Sequence, residues 1–207
     1  MTRSDREPRG LSPDVMADNP MEQFARWMAD AAEALPEPTA MVLATVSAQG
    51  LPRARTVLLK SHGQDGFTFY TNKTSRKGQD LAASPRACVV FPWFPMQRQV
   101  TAEGAVTMLT QEQSEPYYRS RPRGSQLGAW ASRQSTVLES RKQLDERVAE
   151  LERRWPAGSV IPMPDFWRGY LLTPQTVEFW QAGHYRLHDR LRYRRDGARW
   201  RLERLSP

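Results

Sequence analysis

Hydrophobic and polar positions change their period several times along this chain. From Asn19-Pro20 onward, Phe24, Trp27, Met28, Ala31 and Leu35 recur at helical spacing, and Pro36 and Pro38 stop the run. The spacing predicts a helix opening at Pro20 with an aromatic core stripe. The period then shortens. Residues 40–46 are a short apolar run, 52–60 alternate before turning apolar, and 67–71 are aromatic and β-branched. Turn residues at 48–50 and 64–66 separate them, which predicts a meander leading to a sandwich or barrel. Residues 72–77 predict a short helix through Ala82, ended at Ser84-Pro85. Two more strands follow, over 86–93 and 97–108, joined through Phe94-Pro95.

The second half reads as more helical. Thr110 is placed to cap a helix reaching about Arg119. Residues 136–155 predict a long amphipathic helix, with Leu144, Val148, Leu151 and Trp155 on one face. Residues 166–172 and 176–180 read as two strands, and 190–194 with 198–205 as a closing hairpin around Asp196-Gly197. Residues 1–18 mix charge, Pro and Gly without periodicity, so a flexible arm is expected there and a single domain over 19–207. The fold class expected is α+β, mainly antiparallel, with at least six strands and peripheral helices.

Composition narrows the picture. An apolar fraction of 39% with seven Trp supports a core, and no apolar run reaches spanning length. No signal peptide stands at the N-terminus. The single Cys88 cannot form an intrachain disulfide; its apolar strand setting reads as a core thiol in a reducing, cytoplasmic compartment. The net charge is +7, yet 23 acids are spread among 30 bases. Nucleic-acid binding would favour basic runs with few acids, so no nucleic-acid partner is expected, and no membrane. Zinc sites, P-loops, GxGxxG turns and nucleophile elbows have no matching motif.

The densest chemistry lies between Tyr117 and Ser135, where Arg119, Arg121, Arg123 and Arg133 stand among hydroxyls and amides. Pro122 bars Arg121 from a helix interior. A phosphate or carboxylate site and a solvated basic loop both fit this stretch. Four other clusters could carry chemistry. Arg53 and Arg55 share a strand face, with Lys60 at opposite parity. Tyr70 and Thr71 precede Ser75, Arg76 and Lys77 at an expected helix N-terminus, which suits a phosphate as well as plain capping. Gln97, Arg98 and Gln99 open a strand. Arg186 and His188, read as strand residues, point to one side.

Several long motifs in order resemble the FMN-dependent pyridoxamine 5'-phosphate (pyridoxine 5'-phosphate) oxidases: RTVLLK at 55–60, FYTNKTSRK at 69–77, FPWFPMQRQV at 91–100, YYRSRPRGSQLGAWASRQS at 117–135 and VEFWQAGHYRLHDR at 177–190. The resemblance implies a split β-barrel and a homodimer with FMN at the interface. It implies FMN binding by Arg55, Thr56, Val57, Leu58, Leu59, Lys60, Tyr70, Thr71, Arg76 and Lys77, together with Gln99, Gln134, Ser135, Trp180 and Arg190. Lys60, Tyr117, Arg121 and Ser125 would clamp the substrate phosphate. Arg186 and His188 would be the catalytic pair over the pyridine ring, His188 being the better titrating group. The implied reaction oxidises pyridoxamine or pyridoxine 5'-phosphate to pyridoxal 5'-phosphate and reduces O2 to H2O2. Ala182-Gly183-His184-Tyr185 and Thr101-Ala102 depart from the family pattern. They keep alive a related phenazine-type oxidase and a non-catalytic flavin- or pyridoxal-phosphate-binding protein.

Overall fold

The structure, a computed structural model, describes residues 10–207; the first half of the arm expected over 1–18 lies outside the described residues. Residues 10–18 are tied down. The Leu11 N–H donates to Asp189 at 2.9 Å, Arg204 donates to the Leu11 carbonyl at 2.7 Å, and the Tyr193 hydroxyl donates to the Ala17 carbonyl at 2.6 Å. These partners sit at the far end of the chain, so local composition could not reveal them.

Helix α1 (Pro20–Ala34) starts where expected. The Asn19 side chain accepts the Met21 N–H, and Pro20 supplies a preset φ at the first position. Its buried face carries Phe24, Trp27 and Ala31. Phe24 packs its ring 4.8 Å from Phe67 and 4.9 Å from Phe91, which plugs the concave side of the sheet.

Nine strands form one sheet among the described residues: β1 (Ala40–Val46), β2 (Pro52–Leu58), β3 (Ser61–Gly63), β4 (Gly66–Asn72), β5 (Arg86–Trp93), β6 (Arg98–Met108), β7 (Trp167–Gln181), β8 (Asp189–Asp196) and β9 (Arg199–Arg204). Every pairing is antiparallel, in the order β2-β1-β5-β6-β7-β4-β3. Strand β7 governs the layout. One of its edges pairs with β6 along 170–181; its other edge pairs with β4 over 167–172 and with β8 over 176–181. The sheet divides at that change of partner, which makes it a split barrel of the α+β class.

Four local expectations are corrected. The two strands expected over 166–180 are one strand, because Pro174 falls beside a β7 bulge at Gln175, opposite Glu103 and Gly104 of β6, where the ladder is irregular. Gly104 is required there: a Cβ would lie 2.0 Å from the Thr173 carbonyl oxygen. The helix expected from Thr136 is α5 (Arg141–Arg154), capped by the Ser140 hydroxyl. Arg186 to His188 are not strand. Residues 184–186 form a single tight turn, with Tyr185 and Arg186 both left-handed at φ 53° and 68°, and β8 begins only at Asp189. The basic stretch is largely helical: α3 (Gln111–Ser120) ends before Arg121-Pro122, and α4 (Arg123–Ala131) starts after it. Pro122 separates two helices, as its missing N–H and the restriction it places on Arg121 require.

Candidate active site

Helix α2 (Arg76–Ala83) begins at the end of β4, with Ser75 as its N-cap. Its first turn places Lys77 inward, 8% exposed. The Lys77 ammonium donates to Gln134 Oε1 at 2.9 Å and to the Thr71 hydroxyl at 3.3 Å, and Thr71 in turn donates to Gln134 at 2.8 Å. No carboxylate pairs with Lys77 among the described residues. Burial, and then the Arg55 charge, pull its pKa below the ordinary value. Arg55 reaches this corner from β2, where its guanidinium donates to the Leu43 carbonyl at 3.1 Å and to the Thr45 hydroxyl at 2.7 Å. The Arg76 N–H meets the Ser135 hydroxyl at 3.3 Å, with the Arg76 side chain exposed. Two cations, two hydroxyls and an amide thus converge on a helix N-terminus, the donor set of an oxyanion seat.

Beside it lies a pocket of about 290 Å³, lined by Tyr70, Thr71, Arg121, Ser125, Gln134 and Trp167 among others. Tyr70 stacks on Tyr117 at 4.2 Å and on Trp167 at 5.0 Å. Gly169, opposite Tyr70 in the β4–β7 ladder, leaves room for that ring; a Cβ there would come within 2.8 Å of it. Arg121 lies over Trp167 at 5.1 Å, and its Nη1 is buried without a hydrogen-bond partner among the described residues. Burial lowers its pKa. A buried donor left unmade costs about 1–3 kcal/mol, so Arg121 is set up for an anionic ligand. Thr71 and Gln134 line both the pocket and the Lys77 seat, which makes two adjoining anion seats.

A second group lies at the other end of β7. Gln99, Trp180 and Arg190 are neighbours across β6, β7 and β8. The His188 ring packs 4.7 Å from Trp180, and its Nδ1 accepts the Gly183 N–H at 3.2 Å. Gly183 is obligatory in this turn, since a Cβ would lie 2.0 Å from the Leu187 carbonyl oxygen. Arg186 and Tyr185 are exposed, Tyr185 at 94%. Arg190 holds Glu178 through two bonds of 2.7 and 3.0 Å and donates to the Ser206 carbonyl.

The structure therefore brings Arg55, Tyr70, Thr71, Arg76, Lys77, Tyr117, Arg121, Ser125, Gln134 and Ser135 together. It sets Gln99, Trp180, Arg186, His188 and Arg190 apart from them. Trp167 and Trp180 are separated by about 40 Å of extended strand. Thr56, Leu58 and Lys60 lie exposed on or just after the edge strand β2, Val57 is half-buried and Leu59 is buried. Sequence reasoning missed Asp80, Thr45 and Trp167. Asp80 had one legible signal, its place one helical turn after Lys77 opposite an arginine pair with no acid nearby in sequence.

A split barrel carrying adjoining phosphate-type seats and aromatic walls fits a cofactor-binding oxidoreductase of the flavoprotein kind. The model for the family described as pyridoxamine 5'-phosphate oxidase matches residues 28–154, and that for the pyridoxine 5'-phosphate oxidase C-terminal dimerisation region matches 167–207. A pyridoxine/pyridoxamine 5'-phosphate oxidase of Frankia alni is 56% identical over 202 residues, covering 95% of this chain and 84% of the relative. One from Acidothermus cellulolyticus is 56% identical, covering 96% and 90%. The crystal structure of PhzG from Burkholderia lata in complex with tetrahydrophenazine-1-carboxylic acid is 33% identical with a TM-score of 0.89, covering 96% of this chain and 98% of that one. The chain belongs to the pyridoxamine 5'-phosphate oxidase family, whose cofactor is FMN. The residues present suit a phosphorylated cofactor, because Lys77 is a buried ammonium awaiting a counter-charge.

Proposed function

We propose that this protein oxidises pyridoxamine 5'-phosphate or pyridoxine 5'-phosphate to pyridoxal 5'-phosphate, with O2 reduced to H2O2. The observation that carries the reading is the buried Arg121 Nη1, without a hydrogen-bond partner among the described residues, in a pocket adjoining the Lys77 seat. Two neighbouring anion seats suit a phosphorylated cofactor beside a phosphorylated substrate. Lys77, Arg55, Thr71, Arg76, Gln134 and Ser135 hold the cofactor phosphate; Arg121, Ser125 and Tyr117 hold that of the substrate, and the exposed Lys60 is the further cation assigned to it. Bound FMN supplies the two-electron acceptor, with O2 as the final oxidant. The protein positions the substrate carbon and excludes water.

Gln99, Trp180, Arg186, His188 and Arg190 complete the site from a second copy of the chain, since they stand at the far end of β7 from both seats. The matched C-terminal dimerisation region supports that arrangement. Arg186 orients the substrate and His188 is the group available to move a proton. The Trp180 ring and the Gly183 N–H hold the imidazole through its ring face and Nδ1, and Nε2 has no hydrogen-bond partner among the described residues. Cys88 takes no part: burial, and then Glu103, push its thiol up to about 11, which leaves little thiolate to act as a nucleophile.

The PhzG likeness favours a second reading, oxidation of a phenazine precursor. Arg121 alone does not separate the two, because a carboxylate pairs with a guanidinium as a phosphate does; the 56% identity to two pyridoxine/pyridoxamine 5'-phosphate oxidases, against 33% to PhzG, favours the first reading. One anaerobic experiment separates them. FMN-loaded protein is mixed with pyridoxine 5'-phosphate and the flavin absorbance followed. Bleaching, recovery in air and formation of pyridoxal 5'-phosphate are expected. A flavin that stays oxidised with both phosphorylated vitamers overturns the reading.

A further inference from the structure

Asp80 lies one turn along α2 from Lys77 and is 3% exposed, the most deeply buried carboxylate near the site. Three groups converge on it. Arg53 Nη1 donates to Oδ1 at 2.8 Å, the Thr45 hydroxyl donates to Oδ2 at 2.7 Å, and Arg55 Nη2 stands 3.6 Å from Oδ2. The Thr45 contact matters most. A hydroxyl has one proton to give, and Asp80 takes it; the oxygen lone pairs are thereby turned toward Arg55 Nη1, which donates to them at 2.7 Å. Asp80, Thr45 and Arg55 thus form a directed relay from α2 through β1 to β2, closed by the Leu43 carbonyl.

The relay solves a problem set by the seat itself. Arg55 and Lys77 repel each other across a half-buried corner, with Arg53 adding a third cation on the same strand face. An isolated Arg55 would swing to solvent and leave the seat. Asp80 does not neutralise the whole cluster, because it pairs with the arginines and leaves Lys77 without a carboxylate among the described residues. Its position therefore divides the charge: one carboxylate offsets part of the charge of the two arginines and fixes them, while the Lys77 ammonium keeps its charge for the ligand.

We propose that Asp80 is a positioning residue for the cofactor phosphate, acting through Thr45 to hold Arg55 in the seat beside Lys77. The inference rests on the assignment of that seat to the FMN phosphate. The alternative is that the Asp80 cluster only fastens α2 to the sheet, and the two roles differ in what they do to a flavin without a phosphate.

The test titrates FMN and riboflavin into apoprotein and follows flavin fluorescence, for the wild type and for Asp80→Asn. The wild type prefers FMN, and Asp80→Asn weakens FMN by about tenfold, the scale of lost outer-shell support, with riboflavin unchanged. Equal weakening of both flavins, or unchanged or tighter FMN, overturns the proposal. A wild type that does not discriminate the two flavins overturns the seat assignment as well. If Asp80→Asn fails to fold, Thr45→Val carries the same test, since it removes the relay hydroxyl and keeps the shape. In the Arg55→Ala background the Asp80→Asn change costs no further FMN affinity, because one relay is broken only once. An additive loss there overturns action through Arg55.

Discussion

At the scale of single residues, the seat is controlled by where charge is left unbalanced. Arg190 already has Glu178 as its counter-charge, while Lys77 is buried with only neutral oxygens for company among the described residues. The consequence for pH follows from the sign of the Lys77 shift. Its pKa is lowered from the ordinary 10.5, by burial first and then by Arg55, so the folded apoprotein binds fewer protons than the unfolded chain in the window just below 10.5. Apoprotein stability gains from Lys77 as pH rises through that window, because a costly buried charge is discharged. A bound phosphate demands the opposite, a charged ammonium. FMN affinity is therefore expected to fall as pH rises through the lowered pKa, beginning below 10.5. Riboflavin, with the same ring and no phosphate, controls for titration of the flavin. Lys77→Met should bind FMN more weakly at pH 8 and lose the step. A step that persists in Lys77→Met would assign it to another group.

At the scale of elements, what could be read from the chain depended on how local the cause was. Helix α1 was legible because Asn19, Pro20 and the 24-27-31 stripe lie within one segment. The closing hairpin was legible because Gly197 takes φ 58° in a two-residue turn. The continuity of β7 was not, since Pro174 reads as a break until the bulge at Gln175 beside it, facing Glu103 and Gly104 of β6, is known. The left-handed pair Tyr185-Arg186 likewise has no local signature, as neither is Gly or Asn. The hold on residues 10–18 is of the same non-local kind, and it gives a measurable cost. Tyr193 is 1% exposed, and its hydroxyl satisfies the Ala17 carbonyl 176 positions away in sequence. Tyr193→Phe keeps the ring among Phe179 and its neighbours but strands a buried carbonyl, a loss of about 1–2 kcal/mol. That corresponds to a fall of roughly 2–8 °C in Tm for a chain of this size, with earlier proteolytic cutting before Pro20. An unchanged Tm with unchanged cutting would show that the Asp189 and Arg204 contacts to Leu11 suffice alone.

At the scale of the whole molecule, the two groups of site residues stand at opposite ends of one strand. The motifs named nearly every member of both, and the resemblance implied a site at a dimer interface, but nothing in a linear chain says which members come from which copy. The geometry makes that proposal testable without any further structure. In a two-fold dimer each site takes its seats from one copy and its Trp180–His188 wall from the other. Arg121→Ala spoils the seats, and His188→Ala spoils the wall. Either variant alone should be nearly inactive. Mixed by unfolding and refolding together, they form hybrids in which one site carries both lesions and the other carries none. Random pairing makes about half of the dimers hybrids, so about a quarter of wild-type turnover should return. Recovery near that level fixes the site between copies. No recovery, with hybrids verified by a mass tag on one variant, would mean that a single chain supplies both groups and that the sheet closes on itself more tightly than the β7 spacing allows.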